Sequence, residues 1–318
     1  MERPRIVVAH MEGLRFFDET DMTAIAEVGD VLDPEPIGRW DDPRADDLLA
    51  RAQVILGHWG CPRIDASVLD RAPDLGLVAY AAGTLREVVT ADVFTRGLRV
   101  TSGADANAAP VAEFTLGAIL LAGKDAFWRR ELARDLGLFG TKPTPEVPIG
   151  NYDRTIGIIG ASLVGRRVID LLRPFPHLSV VLYDPFVTEE AADALGVTKV
   201  ELDELCATAD IVSIHAPDLP STRHMIAGPQ LAAMRTGATL INTARGALVD
   251  HDALLAEVDG GRLSAILDVT DPEPLPAGHP LLALPNVVVT PHLAGSEGTE
   301  LRRMTAHAVE EIRRWVAS

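Results

Sequence analysis

Three segments in the last third of the chain place reactive side chains directly after short apolar runs. Residues 239–246 carry Arg245, residues 265–274 carry three carboxylates, and residues 287–295 carry His292. Arginine offers a fixed cation whose planar fork suits a carboxylate. A histidine with a carboxylate partner can transfer a proton. The combination is typical of a site that binds an organic acid and supports hydride chemistry.

Each of these residues also has an ordinary structural interpretation. An arginine before a glycine often caps a turn, and most histidines are structural. The residues alone leave open which of Asp268, Asp271 and Glu273 would partner the histidine. The shared position of all three segments, at successive strand ends where ligands of open α/β sheets bind, favours a common site.

A glycine-rich loop lies upstream, in residues 155–165. Gly160 and Gly165 occupy the first and third positions of the dinucleotide fingerprint G-x-G-x-x-G, but Ser162 occupies the middle one. That position lets the backbone approach a pyrophosphate, so the serine is a departure. Serine is small and its hydroxyl could donate to a phosphate oxygen. The loop alone is equally consistent with a turn that packs a helix on a sheet.

The context of the loop favours a nucleotide site. The residues after it have helical periodicity, so the N–H groups and positive dipole end of a helix would face an anion. Asp184 stands nineteen residues after Gly165, at the end of the next predicted strand. A carboxylate there can accept hydrogen bonds from both adenosine ribose hydroxyls and would repel a 2′-phosphate. The sequence therefore predicts NAD rather than NADP, although Asp184-Pro185 could simply open a turn.

The elements that must position these residues are predicted to form two series of alternating strands and helices. The first contains strand candidates at residues 5–9, 53–57, 77–81 and 99–101, with helices near 43–51 and 65–71. The second contains six strand candidates, at residues 156–159, 180–183, 211–214, 239–242, 264–268 and 287–289. Short apolar runs that alternate with helical stretches indicate βαβ units and parallel sheets. The six later strands are what a doubly wound nucleotide-binding sheet requires.

Three further stretches of the chain have a recognisable pattern. A long helical pattern runs from residue 107 to about residue 130, and residues 297–316 are again helical. Residues 141–148 contain three prolines and are predicted to be an extended connector or arm, because proline fits neither helix interiors nor central strands.

The amino-acid composition argues against several classes of binding partner. The 318 residues carry a net charge of −17, which argues against nucleic acid and anionic membrane surfaces. The two cysteines, Cys61 and Cys206, are too few for a disulfide framework or a zinc site, so we expect reduced thiols, no bound metal and a cytoplasmic protein. We identify no signal peptide and no apolar run near the ~20 residues that span a bilayer.

Taken together, the motifs resemble the D-isomer-specific 2-hydroxyacid dehydrogenase family. The matching stretches follow the family order over about two thirds of the chain. They are residues 107–114, the loop 160–165, Ser213-Ile214-His215-Ala216-Pro217, Asn242-Thr243-Ala244-Arg245-Gly246, Leu267-Asp268-Val269 with Pro272-Glu273-Pro274, and Thr290-Pro291-His292.

The resemblance implies a catalytic triad of Arg245, Glu273 and His292, with Asp268 at the nicotinamide end of NAD. Arg245 would bind the substrate carboxylate, His292 would exchange the proton, and Glu273 would fix the tautomer and stabilise the imidazolium. The implied cofactor site comprises Gly160, Ser162, Leu163, Val164, Gly165, Asp184, His215, Ala216, Pro217, Thr222, Thr243, Ala244, Asp268 and Gly295.

The resemblance also implies two doubly wound parallel-sheet domains. A Rossmann-type cofactor domain, residues 104–295, would be inserted into a flavodoxin-like substrate domain formed by residues 1–103 and 296–318. The connector near Pro143 would join a homodimer contact.

The substrate loop departs from the family pattern. Residues 81–87 lack the usual Gly-Val-Asp-Asn type of ending, although the backbone N–H groups of Ala82, Gly83 and Thr84 could still hold a carboxylate. Arg86, Glu87 and Trp59 suggest a pocket of its own shape. Two alternatives stay open: an NAD-sensing scaffold that binds other proteins, and a related dehydrogenase acting on formate or phosphite.

Overall fold

The computed structural model describes residues 3–137 and 149–318, and the chain forms two compact units. The smaller unit comprises Met1–Asn107 with Ser296–Ser318, and the larger comprises Ala108–Gly295. The strands are β1 Arg5–Ala9, β2 Asp30–Val31, β3 Val54–Gly57, β4 Leu77–Tyr80, β5 Arg99–Ser102, β6 Arg154–Ile159, β7 Leu178–Tyr183, β8 Thr198–Lys199, β9 Ile211–Ile214, β10 Thr239–Asn242, β11 Ser264–Leu267 and β12 Val287–Val289.

α-Helices connect most of these strands, and within the described residues short 3₁₀ turns lie at Gly246–Leu248, Pro280–Leu282 and Gly298–Glu300. The helices are α1 Glu19–Val28, α2 Ala45–Arg51, α3 Ala66–Arg71, α4 Ala91–Thr95, α5 Ala104–Gly123, α6 Ala126–Asp135, α7 Leu163–Leu172, α8 Glu189–Leu195, α9 Leu202–Thr208, α10 Gly228–Ala233, α11 His251–Asp259 and α12 Leu301–Val316.

The smaller unit is built on a parallel sheet with strand order β2-β1-β3-β4-β5. Strands β3 and β4 are buried along their whole length, because helices cover both faces of a doubly wound sheet. On one face Ile25 of α1 packs in the same cluster as Met304, Ala308 and Ile312 of α12. The C-terminal helix is therefore part of the core of the N-terminal sheet.

The larger unit contains a seven-stranded parallel sheet with order β12-β11-β10-β9-β6-β7-β8. Strand β6 pairs with β7 on one side and with β9 on the other, so the order reverses beside β6. Ligands of open α/β sheets bind at such a switch point, outside the carboxyl ends of the strands. The strand carrying the glycine loop is thus at the position that the fold favours for a ligand.

The prediction of two doubly wound parallel-sheet domains is confirmed. Strands β1, β9, β10 and β12 have the predicted bounds, and the others differ by a few residues at most. The sequence pattern missed β2 and β8, which are two residues long. A two-residue strand carries no period, so pattern alone cannot reveal it.

The prediction of one helix from residue 107 to about 130 is wrong. The helical stretch begins earlier, at Ala104, and is interrupted after Gly123, where Asp125 takes a left-handed conformation with φ 52°. The carbonyl of Gly123 accepts from Gly150 N at 2.5 Å, and a Cβ at residue 123 would overlap the Asn151 side chain. The segment of Gly150 and Asn151 therefore contacts the helix at the point where it is interrupted.

Helix α5 also corrects the expectation that no apolar run approaches the length of a membrane span. By length and hydropathy alone it could cross a membrane. Its side chains Ala112, Ala118 and Ile119 are buried in the core of the larger unit, which is the environment of a core helix. The proline-rich residues 141–148, predicted to form a connector and part of a dimer contact, lie outside the described residues.

Candidate active site

The larger unit brings His292 and Glu273 into contact. Glu273 follows β11, His292 follows β12, and the imidazole Nδ1 lies 2.6 Å from Glu273 Oε1. A carboxylate oxygen can only accept here, so Nδ1 carries the proton of the neutral ring. The Nε2 atom then has its lone pair available. With 49% and 40% of their side chains exposed, both groups remain accessible to a small molecule.

Asp268 holds the loop that carries the histidine. Its carboxylate is buried and accepts from Thr290 Oγ1 at 2.6 Å, Leu293 N at 2.8 Å and Ala294 N at 3.0 Å. The Asp268 carbonyl also accepts from His292 N at 3.0 Å. These bonds surround His292, whose φ of 55° is unusual for a residue other than glycine. Asp268 therefore positions the histidine, and its contact with nicotinamide stays a prediction.

Arg245 lies on a loop that is held by Asn242, the last residue of β10. The Asn242 amide donates to the Arg245 carbonyl at 2.9 Å and accepts from Ala244 N at 3.0 Å. The Arg245 side chain is exposed, and Nη1 donates to the Ala244 carbonyl at 2.6 Å. Among the described residues no carboxylate forms a salt bridge with Arg245, so the guanidinium is available for an anionic ligand.

Gly246 fits the arginine loop against the carboxylate loop. A Cβ at this position would overlap the carbonyl group of Thr270 and approach Asp271 N to 2.6 Å. Asp271 pairs with Arg223 at 3.0 Å. Because β10, β11 and β12 are neighbours in the sheet, their three loops share one edge. Of the three candidate carboxylates, Glu273 is the one that contacts His292.

The glycine loop has the shape that a dinucleotide requires. Gly160 adopts φ 95°, and a Cβ there would lie 2.8 Å from Ala216 N. A Cβ at Gly165 would overlap the Gly160 carbonyl oxygen. Ser162 has an ordinary φ of −67°, so this position does not require glycine. Its hydroxyl caps α7 by accepting from Gly165 N at 3.3 Å.

Asp184 stands beside this loop, directly after β7. One carboxylate oxygen accepts from Ala161 N at 2.8 Å, and the other accepts from Phe186 N at 2.9 Å. Each oxygen keeps a further lone pair for a ribose hydroxyl. The carboxylate, the two glycines and the N-terminus of α7 therefore fit a dinucleotide. The predicted cofactor residues Leu163 and Val164 form the first turn of α7.

His215 is buried behind the glycine loop and is no acid or base at neutral pH. Burial lowers its pKa to about 3, and Nε2 lies 3.0 Å from Ser213 Oγ. Pro217 accepts from Thr222 Oγ1 at 2.6 Å, which closes the turn that follows Ala216. Thr243 contacts Thr115 of α5 through their hydroxyls at 3.0 Å. Gly295 is the last residue of the larger unit.

The predicted substrate loop belongs to the smaller unit, directly after β4. The Gly83 carbonyl accepts from Ser102 Oγ at 3.0 Å, which fixes the loop to the end of β5. Within residues 3–137 and 149–318, the backbone N–H groups of Ala82, Gly83 and Thr84 make no hydrogen bond. Gly83 is half-buried and Thr84 is exposed, so their N–H groups are accessible to an anion, whereas Ala82 is fully buried.

Three positioning residues were not among the predicted site residues. Asn242 could have been found, because an asparagine at a strand end often bonds to the backbone two residues on. Gly246 lies in a stretch that resembles the family and could have been found in that way. Thr115 had no such signal, since its contact joins segments that are distant in sequence.

Comparison with known proteins places this geometry in a family. Residues 124–294 match the model of the D-isomer specific 2-hydroxyacid dehydrogenase, NAD binding domain. D-3-phosphoglycerate dehydrogenase of Mycobacterium tuberculosis is 33% identical over 306 residues, which cover 93% of this chain and 55% of that protein. The chain thus spans about half the length of this relative. Glyoxylate reductase of Aeropyrum pernix is 30% identical, with 98% of this chain and 92% of that protein covered.

A solved structure supports the fold. The NAD-complexed D-isomer specific 2-hydroxyacid dehydrogenase of Lactobacillus delbrueckii ssp. bulgaricus is 24% identical and has a TM-score of 0.80, over 98% of this chain and 97% of that one. The family match covers the glycine loop, Arg245, Glu273 and His292, and it makes NAD the cofactor, as predicted. The chain belongs to the D-isomer-specific 2-hydroxyacid dehydrogenase family.

Proposed function

We propose that this chain transfers a hydride between NAD(H) and C2 of a small 2-hydroxy or 2-keto acid. The observation that carries the proposal is the 2.6 Å contact between His292 Nδ1 and Glu273 Oε1 beside the loop of Arg245. An oriented imidazole gives an acid and base at Nε2, and the exposed guanidinium gives a partner for a carboxylate.

The residues act as follows in this proposal. Arg245 pairs with the substrate carboxylate and with the C2 oxygen. His292 Nε2 takes the hydroxyl proton during oxidation and returns it during reduction. Glu273 accepts from Nδ1 throughout, so it holds the tautomer and stabilises the imidazolium. NAD, when bound, accepts or supplies the hydride.

We also propose that NAD(H) is preferred to NADP(H). The support is Asp184, whose carboxylate lies beside the Ala161 backbone of the glycine loop and would repel a 2′-phosphate. Steady-state kinetics with both cofactors tests this preference. A higher kcat/KM with NADPH would contradict it.

We also propose the domain bounds and the oligomeric state of the chain. The substrate domain would comprise residues 1–103 and 296–318, and the cofactor domain residues 104–295; the division of the chain into two compact units near these bounds supports this. The chain would act as a cytoplasmic homodimer without nucleic acid or membrane partners. Light scattering after gel filtration tests the dimer.

The decisive experiment follows NADH absorbance against a panel of 2-keto acids, with His292→Ala as the control. Turnover that disappears in the control supports the proposal. NADH binding without turnover of any acid would contradict it and would favour the scaffold alternative. Oxidation of formate or phosphite, with no activity on 2-keto acids, would favour the other alternative.

A further inference from the structure

Arg166 lies in the first part of α7, and its side chain reaches back to the glycine loop. Its Nε atom donates to the Ala161 carbonyl at 2.8 Å. Helix side chains point toward the N-terminus, and a residue four positions after the N-cap Ser162 lies on the same face as the cap. The guanidinium is therefore held beside the loop. Its Nη1 and Nη2 groups make no hydrogen bond with the described residues.

Arg166 also has no carboxylate partner in the described part of the chain. Most arginines of the larger unit pair with a carboxylate, as Arg173 does with Asp170 at 2.9 Å. Arg166 forms no such pair there, although it is exposed in a protein with a net charge of −17. A cation that is fixed by its backbone contact and still unpaired beside the glycine loop is available to an anionic ligand.

The serine cap reduces the number of other donors at this end of α7. Ser162 Oγ accepts from Gly165 N at 3.3 Å, so this N–H is already occupied. The N–H groups of Leu163 and Val164 make no hydrogen bond within residues 3–137 and 149–318. Together with the Ser162 hydroxyl hydrogen, they can donate to an anion, but none of these groups carries a full positive charge.

The ligand of this loop carries a negative charge on each of two phosphates. The family match assigns an NAD-binding domain to residues 124–294, which include the loop. The Leu163 side chain, 49% exposed at the start of α7, offers no polar group to a phosphate. The carboxylate of Asp184 accepts from Ala161 N and adds a negative charge nearby. A cation beside the loop would therefore lower the electrostatic cost of binding a pyrophosphate.

We propose that Arg166 binds the pyrophosphate of NAD(H), and that it compensates for the N–H donor that the Ser162 cap occupies. The Nη groups form a planar fork that suits phosphate oxygens. The bond from Nε to the Ala161 carbonyl already orders the side chain, so less rotamer entropy is lost when the anion binds. Arg166 was not among the predicted cofactor residues, because the fingerprint ends at Gly165.

The position of Arg166 favours the pyrophosphate over a 2′-phosphate. Asp184 is the residue that would face the ribose hydroxyls, and its carboxylate would repel a phosphate there. Arg166 forms no salt bridge with Asp184 among the described contacts, so it does not neutralise that repulsion. The assignment therefore agrees with a preference for NAD(H).

The test measures the Kd values of ADP, adenosine and 2′-AMP by displacement of NADH, followed by fluorescence, in the wild-type chain and in Arg166→Gln. We expect the Kd values of ADP and NADH to rise about tenfold, as loss of charge-assisted hydrogen bonds would. Adenosine has no phosphate, so its Kd should stay within about twofold, which also shows that the variant is folded. Arg173→Gln removes the same charge at the other end of α7 and is the matched control, with unchanged Kd values.

Two further variants separate the charge, the fork and the cap. Arg166→Lys keeps the charge but loses the fork, so it should weaken ADP binding less than Arg166→Gln does. Ser162→Gly frees the N–H of Gly165. It should change little by itself, and it should restore part of the ADP affinity when it is combined with Arg166→Gln.

An equal rise in Kd for adenosine and ADP in Arg166→Gln would mean that the arginine only supports the loop, and would overturn the proposal. A rise confined to 2′-AMP would mean that the cation faces the 2′-position, which would also overturn it. Unrestored ADP affinity in the double variant would overturn the compensation for the Ser162 cap. None of these measurements uses a 2-keto acid, so failure of the proposed hydride transfer would not affect their results.

Discussion

The pair His292 and Glu273 is informative because stability does not explain it. Both side chains are about half exposed, and an exposed ion pair contributes at most about 1 kcal/mol. The backbone of His292 is nevertheless held at φ 55°, a conformation that costs free energy. A histidine fixed in this way and still accessible is better explained by its chemistry than by its packing.

At Arg245 the shape of the cation should matter as much as its charge. Lysine in Arg245→Lys keeps the charge but loses the planar fork that binds a carboxylate through two bonds. We expect kcat/KM to fall by about 10²-fold or more, as for loss of a hydrogen-bond donor to the transition state. Near-normal kinetics in this variant would show that the arginine has a structural role only.

The partnership between Glu273 and His292 should show in the variant Glu273→Gln. The glutamine keeps an acceptor oxygen for Nδ1 but removes the negative charge that stabilises the imidazolium of the reaction. We expect kcat/KM for reduction, which needs the protonated ring, to fall about tenfold, while oxidation, which needs the neutral ring, loses less. Steady-state kinetics in both directions measures the difference.

The control for that comparison is His292→Ala. This variant should lose activity in both directions and should still bind NADH. If Glu273→Gln leaves both rates unchanged, the glutamate is not part of the mechanism, and Asp271 is the next candidate.

Among the elements, helix α7 shows why the loop tolerates its unusual serine. Gly160 and Gly165 have no room for a Cβ, whereas Ser162 has an ordinary backbone and caps the helix. Replacing this cap by glycine should lower the free energy of unfolding by only about a few tenths of a kcal/mol. We therefore expect Ser162→Gly to bind NADH with little change in Kd, measured by fluorescence. Gly165→Ala should abolish binding.

The loop between β12 and α12 gives a second prediction for an element. Asp268→Asn replaces one acceptor oxygen by an NH₂ group, so at least one N–H of Leu293 or Ala294 loses its partner. Displacement of His292 should lower kcat about 10²-fold. The Kd of NADH should stay unchanged if Asp268 only positions the loop. A weakened Kd would instead support contact with the nicotinamide.

Asp271→Asn is the matched control for that loop. The same chemical change falls two residues before Glu273, but the Asp271 carboxylate pairs with Arg223 near the surface. We expect kcat within about threefold of the wild type, because exposed ion pairs contribute little.

For the molecule as a whole, buried neutral histidines should lower stability in acid, and among the described residues the largest pKa shifts are those of His58 and His215. His58 and His215, one in each unit, have pKa values lowered to about 3 by burial, against 6.5 in the unfolded chain. Their contribution to stability is complete above pH 6.5 and is lost as pH falls from 6.5 toward 3, because only the unfolded chain takes up the protons. The loss is about 1.4 kcal/mol per pH unit for each histidine.

Urea unfolding at pH 7.5 and pH 5.5 measures this loss. His215→Asn should reduce the difference between the two pH values, whereas His177→Asn, at an exposed position, should not. An equal loss of stability in all three proteins would mean that other groups dominate the response to acid.

The seven-stranded sheet shows which features the local sequence pattern can predict. Strands β9, β10 and β12 were predictable to the residue because each is a short apolar run between polar segments. Their common edge was predictable too, because parallel strands present their carboxyl ends together. The contact between the Gly150 segment and the break after Gly123 was not predictable, since the two segments are distant in sequence.

The sequence by itself determined the two α/β series, the glycine loop and the three strand ends that carry Arg245, the carboxylates and His292. Residue types and spacing suffice for these features because they follow from the local periods of strands and helices. The carboxylate partner of His292 could be named only by family resemblance, since the residues alone left three candidates open.

Tertiary structure distinguished the three carboxylates. Asp268 is buried, and its carboxylate oxygens accept hydrogen bonds from Thr290 Oγ1 and from backbone N–H groups. Asp271 pairs with Arg223, and Glu273 contacts the imidazole of His292. Such contacts join residues 19 or more apart in the chain, and their distances depend on how the elements pack, which no local period encodes.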